Sequence, residues 1–306
     1  MTVPSPVAFI SPLDITAVMV TSSTAVKRLA GELDWNANTA YTKGMIVVRP
    51  DLGRRFENKI PGTDSSKPED AQDRWYDLGV ADKMAMFDSE EGTQSIAPVT
   101  LTTVIRPGAF NAMYLAGLVA RTLSITVKDA PNGTEIYSYT GSLEDSQPAD
   151  YYEYFFSPYK PKTEFLVTGL TPYARCEVTI TLVNPGGVAR CGIASLGDLV
   201  SLGGPAMRGV TVKPNSSSKV SADERGKARL KKGKSARDLT IRAQVPMDEV
   251  DSVIDALDQV MGVPCTWIGS DLKNLRSLRT FGLGKGEFTY DSDIVADLYL
   301  SVQGMV

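Results

Sequence analysis

Apolar and polar residues alternate with period two through much of the middle and end of the chain, the pattern of strands with one face buried. Between residues 81 and 200 the alternating sets are Val99, Leu101, Thr103 and Ile105; Leu123, Ile125 and Val127; Phe165 and Val167; and Val178, Ile180 and Leu182. Between Val127 and Ile136 lies KDAPNGTE, whose Asn132-Gly133 pair accepts the positive φ of a tight hairpin turn. Many short strands at regular spacing, separated by turn residues, predict a β-sandwich or jelly roll.

The period changes after residue 201. Gly- and Ser-rich stretches (SLGGPAMRG, KPNSSSK) come first, then a strand over Leu239, Ile241, Ala243 and Val245. In PMDEVDSVIDALDQVMG the apolar positions Met247, Val250, Val253, Ile254, Leu257, Val260 and Met261 share one helical face. Pro246, Asp248 and Glu249 suit the first turn and Gly262 the end. VPCTWIG, TFGLGKGEFTY and IVADLYLSVQG then give three strands, the last with Ile294, Ala296, Leu298, Leu300 and Val302 facing one way. This predicts an α+β unit with one helix packed on a sheet.

Residues 1–80 read differently: short β-type runs such as Met45–Val48 sit among Gly, Pro, Asp and Asn. The fold class is therefore mainly β with a smaller α+β part. It comprises a loop-rich β module (1–80), a jelly roll or sandwich (81–200), and an α+β domain (201–306) with a basic loop at 219–237. A module as small as the first has little core. Its rings Trp35, Tyr41, Phe56, Trp75 and Tyr76 either supply that core or form a flat platform on which sugar rings stack. The aromatic run Tyr151–Phe156 has the same two readings, of which core is favoured because alternate rings reach opposite faces of a strand.

Composition narrows the chemistry. The chain has 306 residues and no histidine, which removes Ser-His-Asp and Cys-His nucleophiles and His-ligated zinc. Cys176, Cys191 and Cys265 lack metal-ligand spacing; buried reduced thiols, or a Cys176–Cys191 pair, account for them. A net charge of −4 argues against nucleic acid as a partner. The basic run Arg225, Lys227, Arg229, Lys231, Lys232, Lys234 and Arg237 has no interleaved aromatics to stack on bases, and its near-alternate spacing fits an exposed or protein-facing hairpin. Pro4, Pro6, Pro12 and Asp14 break the apolar N-terminus well short of a membrane span, so no insertion is expected. Gly282–Gly286 lies in a hairpin and opens no helix, which marks close backbone approach rather than a phosphate loop. The acidic groups Asp88 with Glu90 and Glu91, and Glu144 with Asp145, fall in turns where solvated acids are the default. Calcium at Asp145, Asp150 and Glu153 lacks EF-hand spacing. No catalytic residue, metal or cofactor is assigned.

Trp35, Tyr41 with Gly44 and Val47, Phe56, Gly62 and Trp75 together resemble the small carbohydrate-binding modules of chitin-degrading enzymes and bacteriophage virion proteins. Met84-Ala85-Met86-Phe87-Asp88, the β domain, and the C-terminal PCTWIGS, TFG and VADLYLSVQGMV resemble tailed-phage tail-tip and distal-tail proteins. The resemblance implies a non-enzymatic virion component of tail tip, baseplate or neck, made in the host cytoplasm. It would assemble as a symmetric ring with itself and other virion proteins through the basic run. Trp35, Tyr41, Phe56, Trp75 and Tyr76 would meet host-surface glycan. A dedicated glycan receptor-binding protein is the alternative, and a carboxylate glycosidase the third reading.

Overall fold

The computed structural model describes residues 5–26, 32–63, 65–88, 93–144, 150–152, 161–207, 209–216, 218–222, 228–231, 235–290 and 292–305. The chain is mainly β, as the alternation predicts, with a ten-residue helix α1, Val250–Gln259, near its end.

The sandwich forms between a five-stranded antiparallel sheet and part of a nine-stranded one. The five-stranded sheet runs Glu135–Ser142, Thr122–Lys128, Glu177–Cys191, Ser95–Ile105, Val20–Ser23. Facing it are Glu164–Val167, Ala112–Ala116 and the first half of Ile193–Pro205. Inward-pointing residues of both layers, among them Leu101, Ile105, Met113, Leu115, Ile125, Ile180 and Leu196, make one core. Met84 and Met86, from the segment that follows the small module, belong to the same core. Asn132 takes φ 59° in the turn that joins Thr122–Lys128 to Glu135–Ser142. Val99, expected inside, is exposed; it takes φ 60° where the ladder to Glu177–Cys191 slips register.

The nine-stranded sheet continues from Ile193–Pro205 through Pro6–Pro12, Cys265–Ile268, Arg279–Thr289, Val295–Gly304 and Ser235–Pro246 to Thr211–Ser216. Register explains the alternation: Leu239, Ile241, Ala243 and Val245 stand opposite Val302, Leu300, Leu298 and Ala296, and all eight are buried. The sheet curls until the end of Ile193–Pro205 reaches Ser235–Pro246. Ala206 bridges Ala243, and the Met207 amide donates to the Arg242 carbonyl at 2.8 Å. Glycine makes this seam possible. A Cβ on Gly203 would sit 3.1 Å from the Gln244 carbonyl oxygen, and one on Gly204 at 2.9 Å. The result is a six-stranded barrel filled by Phe9, Trp267, Leu298 and their neighbours and covered by Val250, Val253, Leu257 and Val260 on and just beyond α1. Two residues assigned to these apolar faces, Met261 and Ile294, are exposed at the ends of their elements.

One sheet thus takes strands from all three stretches of the sequence. Pro6–Pro12 pairs with both Ile193–Pro205 and Cys265–Ile268, and Ile193–Pro205 serves sandwich and barrel alike. On the opposite face of this sheet, Ile10, Ala112, Tyr114, Ile193, Ile268 and Phe281 form a smaller cluster.

The small module is a four-stranded sheet, Leu33–Asp34, Ile46–Arg49, Arg54–Asn58, Trp75–Val80, with a short pair Ala40–Tyr41 and Gly62–Thr63. Its core is Tyr41, Val47, Phe56 and Trp75.

Candidate functional site

The structure separates the five aromatic residues proposed to meet sugar. Tyr41 and Trp75 are 2% exposed and Phe56 3%, so burial takes these three rings out of any platform. Tyr41 and Trp75 meet edge to face, centroids 5.3 Å apart. The Tyr41 hydroxyl accepts from the Asn36 amide at 2.8 Å and donates to the Asn36 carbonyl at 3.1 Å. Asn58, fully buried, donates from Nδ2 to the carbonyls of Tyr41 and Thr42, both at 3.1 Å. The reason is the strand's alternation: Trp75 points inward, so Tyr76, its neighbour, points out and is 60% exposed. The Lys59 ammonium lies 5.2 Å from the Tyr76 ring.

Trp35 is half-buried against the core, and the Arg49 guanidinium stands 4.9 Å over its ring. Arg49 is held in place by forked bonds to two carboxylates. Its Nη1 lies 2.7 Å from Glu69 Oε1 and Oε2, and its Nη2 lies 2.6 Å from Asp51 Oδ2. The Arg49 hydrogen bond holds the Asp51 carboxyl below its ordinary value. Tyr76, with the uncovered part of Trp35, is what remains of an aromatic surface.

The described part of the basic run lies on a β-hairpin that leaves the barrel. Thr211–Ser216 pairs with residues 235–240, and the same hairpin continues as a separate two-stranded ribbon, Lys219–Ala222 with Ala228–Lys231. Arg229 and Lys231 belong to that ribbon, whereas Arg225, Lys227, Lys232 and Lys234 lie outside the described residues. Arg237 stands apart, at the root of the hairpin, and donates from Nη1 to Glu164 Oε1 at 3.2 Å.

That contact opens a site with no signal in the sequence. Glu164 also accepts from the Tyr114 hydroxyl at 2.7 Å. Beside it lies Arg279, 9% exposed, donating from Nε to the Ser270 carbonyl at 3.1 Å and from Nη2 to the Asp271 and Leu272 carbonyls at 2.6 and 3.0 Å. A cleft of about 330 Å³ between sandwich and barrel is lined by Tyr114, Glu164, Arg237, Arg279, Thr280 and Phe281, among others. Burial, then the Glu164 charge, pushes the Tyr114 phenol well above its ordinary value, so it stays a hydrogen-bond donor. The partners come from strands far apart in the chain, and each polar group answers another: the cluster latches the hairpin root to the sandwich.

The three cysteines are free and buried, so the Cys176–Cys191 pair is not formed. Burial pushes their thiols up, Cys176 to about 11 and Cys191 and Cys265 to about 12. Among the described residues no group of three or more His, Cys, Asp or Glu converges to hold a metal. Of the acidic turns, Asp88 accepts from the Thr93 hydroxyl at 2.6 Å; Glu90, Glu91, Asp145 and Glu153 lie outside the described residues. In the aromatic run favoured as core, Tyr151 and Tyr152 are 86% and 71% exposed, and residues 153–156 lie outside the described set. Gly282 and Gly284 mark close approach, with a Cβ on Gly284 falling 2.1 Å from Trp267 Cζ2. No described helix is long and apolar enough to cross a membrane.

No protein-family model matches the chain, and no curated protein matches it. Among solved structures, the F5/8 type C domain of a Bacteroides fragilis protein is 14% identical to it. That alignment covers 38% of this chain and 80% of the other at a TM-score of 0.26, a likeness too loose to bear on fold or ligand.

Proposed function

We propose that the chain is a non-enzymatic structural component of a tailed-phage virion, at the tail tip, baseplate or neck, which assembles with itself into a symmetric ring. The observation that carries this reading is the hairpin arm. A β-ribbon rich in Lys and Arg leaves the barrel at residues 216 and 235, and its root is fastened by the Arg237–Glu164 pair. A ribbon of that length gains little by folding back on its own solvent, and two-stranded ribbons are marginal alone. A neighbouring subunit supplies the missing face. The tail-protein resemblance of Met84–Asp88 and of the C-terminal strands agrees with this use.

Light scattering on the purified protein across a salt series tests the proposal. A discrete oligomer is expected at low salt. Replacing residues 219–231 by a Gly-Ser turn, which leaves the pairing of Thr211–Ser216 intact, is expected to give a monomer. A native chain that stays monomeric at every salt overturns it.

A glycan receptor role is the second reading, favoured by one observation: Tyr76 presents its ring beside Lys59. It predicts that Tyr76→Ala abolishes retention on host polysaccharide without changing the unfolding midpoint. Equal retention of the two proteins, or none by either, removes it.

A further inference from the structure

The cleft at the hairpin root holds more hydrogen-bond donors than the latch around it uses. A guanidinium carries five N–H groups and no acceptor. Arg279, 9% exposed, directs Nε and Nη2 to the carbonyls of Ser270, Asp271 and Leu272. Its Nη1 has no hydrogen-bond partner among the described residues. Arg237 uses Nη1 alone, on Glu164 Oε1, and its Nε and Nη2 have no partner among those residues either. Burial is the largest influence on Arg279 and pulls it below its ordinary value. The charges of Glu164, Tyr114 and Asp271 act the other way, and Arg276 adds to the lowering. Yet no ion pair joins Arg279 to Glu164 or to any other described carboxylate. Bracing residues 270–272 occupies two of its three nitrogens, and the third answers nothing in the fold.

Glu164 has the opposite capacity to spare. Its side chain is 7% exposed, with Oε1 accepting from Arg237 and Oε2 from Tyr114. Each carboxylate oxygen accepts two bonds, so one place remains on each. The charged lining of the cleft is Arg237, Arg279 and Glu164, which leaves one positive charge in surplus. Tyr114, Ala116, Ala236 and Phe281 supply the apolar part of the wall. At about 330 Å³ the cleft stands at the small end of ligand pockets, with room for one ring and not for a chain.

These features define a ligand. The unused N–H groups call for an acceptor-only anion, and a planar carboxylate matches the fork of a guanidinium. A single surplus charge balances a monoanion, whereas a dianionic phosphate would meet the Glu164 carboxylate with too little positive charge beside it. The open places on Glu164 call for a hydroxyl donor on the same molecule, and the apolar wall for C–H groups between the two.

We propose that this cleft binds a hydroxylated carboxylate of the uronic acid class, with Arg279 and Arg237 receiving the carboxylate and Glu164 accepting from a hydroxyl. The site depends neither on assembly of the subunits into a ring nor on the Tyr76 surface.

Isothermal titration calorimetry on the full chain tests it, with glucuronate as the probe and glucose and inorganic phosphate as comparisons. Saturable binding of glucuronate is expected at millimolar concentration, and none of glucose. Arg237→Gln is expected to weaken it about tenfold or more, the worth of one charge-assisted bond. Ala236→Leu, which fills the cleft and keeps every charge, is expected to abolish it, and carries the test if Arg237→Gln does not fold. Thermal midpoints check both folds. A hyaluronan tetrasaccharide, in which glucuronate is flanked by other sugars, separates the sources: its binding assigns the site to an acid within a polysaccharide, and its rejection to the free acid. Absence of glucuronate binding, equal binding of glucose, tighter binding of phosphate, or native affinity in both variants overturns the proposal.

Discussion

Substituting Trp75 by alanine decides whether the aromatic residues of the small module are its core or its binding face. The ring is 2% exposed and closes a core of only Tyr41, Val47, Phe56 and itself. Truncating a buried Trp costs about 3–5 kcal/mol, and the edge-to-face contact with Tyr41 contributes about 1 kcal/mol of it. At ~0.1 kcal/mol per residue, a module spanning residues 33–80 holds roughly 5 kcal/mol in all. The loss is therefore as large as the reserve, and the module of Trp75→Ala is expected to be mostly unfolded while sandwich and barrel persist. Limited proteolysis of the full chain reads this directly, as rapid cleavage within 33–80 and protected fragments beyond residue 93. Tyr76→Ala, on the solvent side of the same strand, is the control and is expected to change stability by less than about 0.5 kcal/mol. If Trp75→Ala resists protease as well as the parent and unfolds at the same temperature, the assignment of this ring to the core is wrong.

Tyr114→Phe removes the donor to Glu164 Oε2 inside the cleft and is expected to lower stability by about 1–2 kcal/mol in urea unfolding; an unchanged midpoint would mean the hydroxyl is not needed there. Gly284→Ala drives a methyl against Trp267 and is expected to cost about 1–3 kcal/mol with a shifted tryptophan emission, whereas native emission and stability would show that the barrel interior has room. The three buried thiols are expected to ignore a thiol reagent near pH 8 until denaturant is added, when all three react; prompt labelling of the native chain would contradict their burial. Their folded values, about 11 for Cys176 and about 12 for Cys191 and Cys265, exceed the ordinary 9.0, so the unfolded chain loses these protons first. Stability from this source is complete below pH 9 and declines as pH rises above it, seen as a falling thermal midpoint in the alkaline range.

Local order was legible where a strand's neighbours impose a repeating face. Leu239, Ile241, Ala243 and Val245 alternate because each meets a buried partner on Val295–Gly304, and the helix period after Pro246 reflects the barrel beneath α1. Asn132-Gly133 marked its turn for a reason internal to the dipeptide. What the sequence could not show was assembly across distance. Nothing near Pro6–Pro12 says that it pairs with residues about 190 and 260 positions away, so the three stretches read as three units although one sheet binds them. The same holds for Glu164, Arg237 and Tyr114, ordinary residues on three separate strands until the sheet curls. The aromatic residues of the module failed differently. Trp75 and Tyr76 look alike in a sequence, and which of two adjacent rings faces inward depends on a register that only the paired strands fix.

Because Ile193–Pro205 belongs to both the sandwich and the barrel, tension between them has no flexible tether to extend. A pull on the arm reaches the barrel and then runs lengthwise along this shared strand. Its ladder bonds to Ala112–Ala116 and Pro6–Pro12 stand across the direction of load. They must yield together in shear instead of parting one after another like a zipper. A particle built from such subunits would transmit axial force between neighbours as a stiff frame, with its mechanical weak points at the joints between chains and not within them.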